Sequence, residues 1–121
     1  MAEFKGIVLA SGPKYAGDIA DAIISICARI KTTEETRWGI YHFSGTPFVS
    51  WHQFAVAIFN HADRLKLLVK IPDIKAITTA DYPTPAKRPK YSMLNCDKIT
   101  KLFAIKPSDW AKTFENLTLY K

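Results

Sequence analysis

Three prolines, Pro83, Pro85 and Pro89, fall between residues 82 and 89, and Pro72 stands upstream of them. Each proline fixes its own φ and removes a backbone donor, and each pushes the residue before it out of the helical region. The segment is therefore stiff and extended, and neither helix nor central strand suits it. With 121 residues the chain is one domain or a piece of a larger protein. A chain of this size buries roughly two thirds of its unfolded surface, which allows one modest core. Its 48% apolar and 23% charged content is ordinary for a globular protein and argues against long disorder. No apolar run approaches the ~20 residues of a membrane span. Met1-Ala2-Glu3-Phe4-Lys5 makes a poor signal peptide, and Cys27 and Cys96 cannot build a disulfide framework. A reducing cytoplasm is the expected location.

Periodicity supplies the elements. Ile7-Val8-Leu9-Ala10 suits a short strand, and Ser11-Gly12-Pro13 a turn. From residue 17 to about 31 the steps of three and four predict a helix with Ile19, Ala20, Ile23, Ile24, Cys27 and Ile30 on its inward face. On that reading Cys27 is plain core. Gly39-Ile40-Tyr41-His42-Phe43 reads as a strand, ended by Ser44-Gly45-Thr46-Pro47. Ser50 and Gln53 form a capping box, with Val49 and Phe54 as its hydrophobic staple, and open a helix that runs to about residue 63. Residues 74–78 are a candidate strand. Asn95 caps a helix over 96–104 with Ile99, Leu102 and Phe103 inward. Ser108 caps a last helix over 109–119 with Trp110, Phe114 and Leu117 inward. Four or five helices with two or three strands suggest the tail of an α/β fold.

The net charge of +6 is unevenly placed. Residues 1–60 hold five basic and five acidic side chains, whereas residues 61–121 hold twelve and six. The densest point is Lys87-Arg88-Pro89-Lys90, which suits a phosphate-bearing ligand, a nucleic acid or solubility alone. Several chemistries are missing. The five glycines, at 6, 12, 17, 39 and 45, form no phosphate-cradling loop. His42, His52 and His61 have no metal-ligand spacing, and the cysteines form no C-x-x-C. There is no G-x-S-x-G, no Y-x-x-x-K, and no carboxylate pair beyond Glu34-Glu35 in a polar loop. The remaining candidate is Tyr82-Pro-Thr-Pro-Ala-Lys-Arg-Pro-Lys-Tyr-Ser92, in which Arg88 is placed to grip an anion with two parallel hydrogen bonds. A rigid strap with its cations in solvent explains the segment equally well.

Five stretches in one order carry a family resemblance: Tyr15-Ala-Gly-Asp-Ile-Ala-Asp-Ala-Ile23, Gly39-Ile-Tyr-His-Phe-Ser-Gly45, Ser50-Trp-His-Gln-Phe-Ala-Val-Ala-Ile58, the proline-rich segment through Leu94, and Pro107-Ser-Asp-Trp110. Together they resemble the C-terminal portion of the dTDP-4-dehydrorhamnose reductases, which are extended short-chain dehydrogenases. The resemblance implies an NADPH- or NADH-dependent reduction of dTDP-4-dehydro-L-rhamnose to dTDP-L-rhamnose, as used in making rhamnose-containing lipopolysaccharide. It also implies an α/β fold of Rossmann type with a smaller sugar-nucleotide lobe. On this reading residues 1–14 are an unrecognised leader. Residues 15–49 are the closing helix and strand of the Rossmann domain, and residues 50–121 are most of the sugar-nucleotide lobe. The family's glycine-rich loop and Y-x-x-x-K have no counterpart here, so no catalytic or cofactor-binding residue carries over. Tyr82, Lys87 and Arg88 are the expected contacts to a dTDP-sugar. The stretch before the first helix ends in Pro13-Lys14, where the family has proline-threonine.

The resemblance implies a chain that is inactive alone, binds a dTDP-sugar weakly, and forms a homodimer or exchanges strands through an unpaired edge. A second reading, from another class, is a non-catalytic interaction module like a regulatory subunit of the same superfamily. A nucleic-acid-binding role is the weakest, because the aromatic residues fall on apolar helix faces instead of interleaving with cations. Neither nucleic acid nor membrane is an expected partner.

Overall fold

The computed structural model describes residues 13–33, 37–78, 80–83, 85–86 and 92–120. The expected strand at 7–10 and the turn at 11–12 lie outside them. The described elements are helices α1 (Ala16–Thr32), α2 (Trp51–Arg64), α3 (Asp97–Phe103) and α4 (Trp110–Thr113), strands β1 (Gly45–Thr46) and β2 (Ser108–Asp109), and a 3-10 helix (Phe114–Tyr120). They fall into two units. One comprises the described residues of Met1–Pro47 and Ser92–Trp110, and the other those of Phe48–Tyr91 and Ala111–Lys121.

The first unit has a small core. Tyr41 and Phe43 are buried, with Ala22 and Ile26 of α1 and Cys96 and Ile99 of the α3 region around them. Fully burying a residue such as Ile99 contributes about 1.5–3 kcal/mol. The edge of the Phe103 ring meets Tyr41 at 5.2 Å between centroids. The Tyr41 hydroxyl donates to the Arg37 carbonyl at 2.6 Å, which satisfies the one polar atom of that ring. Over the same ring, 4.5 Å from its centroid, sits the Lys98 ammonium, which also donates to the Ile40 carbonyl at 3.0 Å.

Several expectations are corrected here. Helix α1 spans Ala16–Thr32, close to its expected extent, but its inward face is Ile19, Ala22, Ile26 and Ile30. Ala20, Ile23, Ile24 and Cys27 are exposed, and Ile24 retains 65% of its surface. Cys27 is therefore not core. Residues 39–43 form no strand. The backbone pairs two residues later, where Gly45 and Thr46 lie parallel to Ser108 and Asp109. The 74–78 segment is exposed coil apart from half-buried Ile74.

Ser108 is the second large departure. It does not cap a long helix but belongs to β2, and the chain behind it makes one α-turn and then narrows to a 3-10 helix. Its hydroxyl donates to the Asp18 carboxylate at 2.5 Å and accepts from the Tyr15 amide at 3.2 Å. Its own amide donates to the Ser44 carbonyl at 3.0 Å. Gly45 next door packs so tightly that a Cβ there would collide with the Pro13 carbonyl. Trp110, which is buried, donates from its indole to the Pro47 carbonyl at 2.7 Å.

In the second unit the capping box of α2 is present in full. Ser50 Oγ accepts from the Gln53 amide, and Gln53 Oε1 accepts from the Ser50 amide. Lys66, at φ 54°, turns the chain away after α2. The inner side of α2 meets the 3-10 helix through Phe114, whose ring lies 6.1 Å from Phe54 and 5.6 Å from His61. Phe114 and Trp110 are buried as expected, while the side chain of Leu117 lies outside the described set. Back in the first unit, at the start of α3, Asn95 Oδ1 accepts from the Asp97 amide at 2.7 Å, so the capping bond is made, although Cys96 is the residue at the helix boundary.

The Ser108 hydroxyl is buried and links two backbone segments to one carboxylate. Replacing Ser108 with alanine leaves the Tyr15 amide and the Asp18 carboxylate without that partner, and stability is expected to fall by about 1–3 kcal/mol. Urea unfolding followed by tryptophan fluorescence measures this, and a midpoint identical to that of the parent chain would show that the hydroxyl holds nothing.

Candidate functional site

The proline-rich segment begins from a fixed turn. The Asp81 carboxylate accepts from both the amide and the hydroxyl of Thr78 at 2.7 Å, and the Asp81 amide donates back to the Thr78 carbonyl at 3.1 Å. The Thr78 side-chain bond, joined by the backbone bond, holds the Asp81 carboxyl below the usual carboxylate range. Upstream, Ile74 is tied to α2 where His52 Nε2 lies 3.3 Å from its carbonyl, a bond that requires the Nε2–H tautomer. Tyr82 leaves this turn 69% exposed, with Pro83 exposed behind it. A solvated phenol on a proline-braced backbone can stack on a base or sugar, or donate one hydrogen bond. Of the three residues expected to hold a dTDP-sugar, Tyr82 is thus placed, and Lys87 and Arg88 lie outside the described residues.

A nicotinamide dinucleotide does not fit the glycines that are described. Gly17 sits in α1 against the Tyr15 ring, Gly39 lies beside the Lys98 ammonium, and Gly45 is closed off by the Pro13 carbonyl. Each is used by internal packing, and none opens a run of backbone amides toward a pyrophosphate. Among the described residues no three His, Cys, Asp or Glu side chains gather as a metal site. His61 packs at a tilt against Phe114, and His42 Nδ1 is buried without a hydrogen-bond partner among the described residues. No described helix is long and apolar enough to cross a membrane.

Sequence reasoning missed a cleft in the first unit. Arg29, Arg37 and Lys101 border it, Thr33 stands among them, and Ile30, Leu102 and Phe103 form its apolar wall. Partial signals were present, since Arg29 and Lys101 each sit in the last turn of a helix. Their convergence with Arg37 depends on how α1 and α3 pack, which no local pattern encodes.

Comparison with known proteins places these features in a family. The model of the RmlD substrate binding domain matches residues 10–119. A dTDP-4-dehydrorhamnose reductase of Aggregatibacter actinomycetemcomitans is 50% identical over 109 residues, which cover 90% of this chain and 37% of that protein. The dTDP-4-dehydrorhamnose reductase of Sinorhizobium fredii (strain NBRC 101917 / NGR234) is 36% identical over 107 residues, covering 87% of this chain and 35% of the relative. A spore coat polysaccharide biosynthesis protein, SpsK, of Bacillus subtilis (strain 168) is 30% identical over 98 residues, covering 81% of this chain and 30% of its own length. No solved structure matches. The chain thus spans about a third of the length of the curated relatives it matches. A family model that takes in nearly the whole chain, on a structure with helices and a small parallel sheet, shows that the chain belongs to the RmlD substrate-binding domain family.

Proposed function

We propose that this chain is the sugar-nucleotide-binding part of a dTDP-4-dehydrorhamnose reductase and that it holds the dTDP moiety through the segment from Tyr82 to Ser92. The observation that carries this reading is the 50% identity across 90% of the chain to a protein of that name. The concentration of Lys87, Arg88 and Lys90 beside an exposed Tyr82 supports it, because a nucleoside diphosphate needs cations for its phosphates and a flat apolar surface for its base. Within this reading residues 15–49 are the closing part of the dinucleotide domain and residues 50–121 the sugar-nucleotide lobe. The reduction itself uses NADPH or NADH held elsewhere in the complete enzyme, and this chain contributes substrate positioning.

That division of labour has a direct test. Incubated with NADPH and dTDP-4-dehydro-L-rhamnose, the chain alone is expected to consume no NADPH, since it offers neither a dinucleotide cradle nor a Y-x-x-x-K proton donor. Turnover above a heat-killed control would overturn the assignment of catalysis to other residues.

Arg88 is the residue on which the substrate reading turns. A charge-assisted, two-pronged contact to the diphosphate contributes about 1.5–3 kcal/mol, a factor of roughly ten to a hundred and fifty in affinity. Arg88→Ala, built at the matching position of a full-length relative, is expected to weaken sugar-nucleotide binding by that factor, and Arg88→Lys to recover only part of it. Calorimetric titration with dTDP reads the effect. Unchanged affinity with a lowered melting temperature would assign the segment to the strap role instead.

The outward stripe of α1 supports a third element of the proposal, self-association of the isolated chain. Ala20, Ile23, Ile24 and Cys27 are exposed at helical spacing and form an apolar face that water solvates poorly. Sedimentation velocity is expected to show dimer or larger species as concentration rises, and Ile24→Glu is expected to restore the monomer. A parent chain that stays monomeric at high concentration would contradict this.

A further inference from the structure

An acid, Asp81, stands directly before the segment to which the reading above gives an anion. A carboxylate there repels a diphosphate, so charge alone gives no reason for it. On the reading that residues 82–92 hold dTDP, we propose that Asp81 is a positioning residue for the nucleotide: closed onto Thr78, its carboxylate fixes the backbone from which Tyr82 presents its phenol to the base.

One oxygen of Asp81 does most of the holding. The amide and the hydroxyl of Thr78 both donate to Asp81 Oδ2, each at 2.7 Å, and the Asp81 amide returns a bond to the Thr78 carbonyl at 3.1 Å. The same Thr78 bonds keep the carboxyl below the usual carboxylate range, so it accepts them in its ionised form at neutral pH. Upstream, the Ile74 carbonyl lies 3.3 Å from His52 Nε2, in the first turn of α2. The approach to Tyr82 is thus fixed at Ile74 and again at the Thr78–Asp81 closure, with Lys75, Ala76 and Ile77 exposed between. Beyond Tyr82, Pro83 has a fixed φ and disfavours the helical region for the residue before it. The Tyr82 backbone is therefore restricted from both sides, while its side chain is 69% exposed. A ring carried on a restricted backbone and open to solvent meets a base at a lower ordering cost than one on a free loop.

The isotope-labelled chain is followed by NMR, first alone and then during titration with dTDP. The variants are Asp81→Ala, Asp81→Asn and Thr78→Val, with Tyr82→Ala as the control for use of the ring. Unchanged α2 amide shifts show that each variant keeps its fold. Without ligand, the heteronuclear NOE of the Tyr82 amide is expected to fall in Asp81→Ala and to hold in Asp81→Asn, whose carboxamide oxygen can accept both Thr78 bonds. With dTDP, Asp81→Ala is expected to weaken binding about three- to tenfold even though it removes a repelling charge. Thr78→Val, which loses only the hydroxyl bond, is expected to fall between. Asp81→Asn is expected to bind at least as well as the parent, since it keeps the turn and loses the charge. Affinity that stays the same or rises in Asp81→Ala, or Tyr82 order unchanged in that variant, would overturn the proposal and leave the substrate reading standing. A parent chain that binds dTDP no better than Tyr82→Ala would overturn the substrate reading itself, and the role of Asp81 with it.

Discussion

The first unit depends on one hydroxyl. Ser108 Oγ stands between the Asp18 carboxylate and the Tyr15 amide, while the Ser108 amide reaches the Ser44 carbonyl. Three segments far apart in sequence meet there: the start of α1, the short strand β1, and the chain just before α4. A serine buried without partners would destabilise the fold by the loss of its hydration. Here donor and acceptor are both used, so the polar atoms add specificity to a core that is otherwise aliphatic and aromatic. Gly45 packs closely on Pro13 beside the same meeting point, where a side chain at position 45 would collide with the Pro13 carbonyl.

What the sequence revealed follows how local each signal is. The α2 start was legible because Ser50 and Gln53 satisfy one another within a single turn. The α3 cap at Asn95 was legible to within one residue for the same reason. The α1 boundaries were legible too, but its orientation was not. Ile23 and Ile24 are as apolar as Ile26, so the pattern offered two adjacent faces, and packing against Tyr41, Phe43 and Ile99 chose the one centred on Ala22 and Ile26. Residues 39–43 have a strand-like composition, but a strand also needs a partner with free backbone groups, and the pairing partner Ser108 lies opposite Gly45. The role of Ser108 was misread because a serine followed by a turn of helix has the same local form whether or not its hydroxyl is engaged with residue 18.

The candidate site shows the same division. Tyr82 and Pro83 are exposed and the Asp81–Thr78 turn explains how that stretch is launched, while residues 84 and 87–91, on which the expectation of an extended backbone mostly rests, lie outside the described residues. The basic cleft could not be read from sequence, because its cations are separated by up to the distance from α1 to α3 along the chain. Charge runs such as Lys87-Arg88 are conspicuous in a sequence, whereas charge convergence is a property of packing.

The two units are interleaved along the chain, each closed by a segment that follows part of the other. This sets an order of events during synthesis. When the ribosome has released α1 and the segment through Phe43, the residues that cover them, Cys96 and Ile99, have not been made. Tyr41 and Phe43 must wait in contact with water until the segment that carries Cys96 and Ile99 emerges, and contacts of such long sequence separation close slowly. The stretch from α1 to Phe43 is therefore exposed to chaperones and proteases until Cys96 and Ile99 are made, and a stop codon between Phe43 and Cys96 would leave this core unclosed.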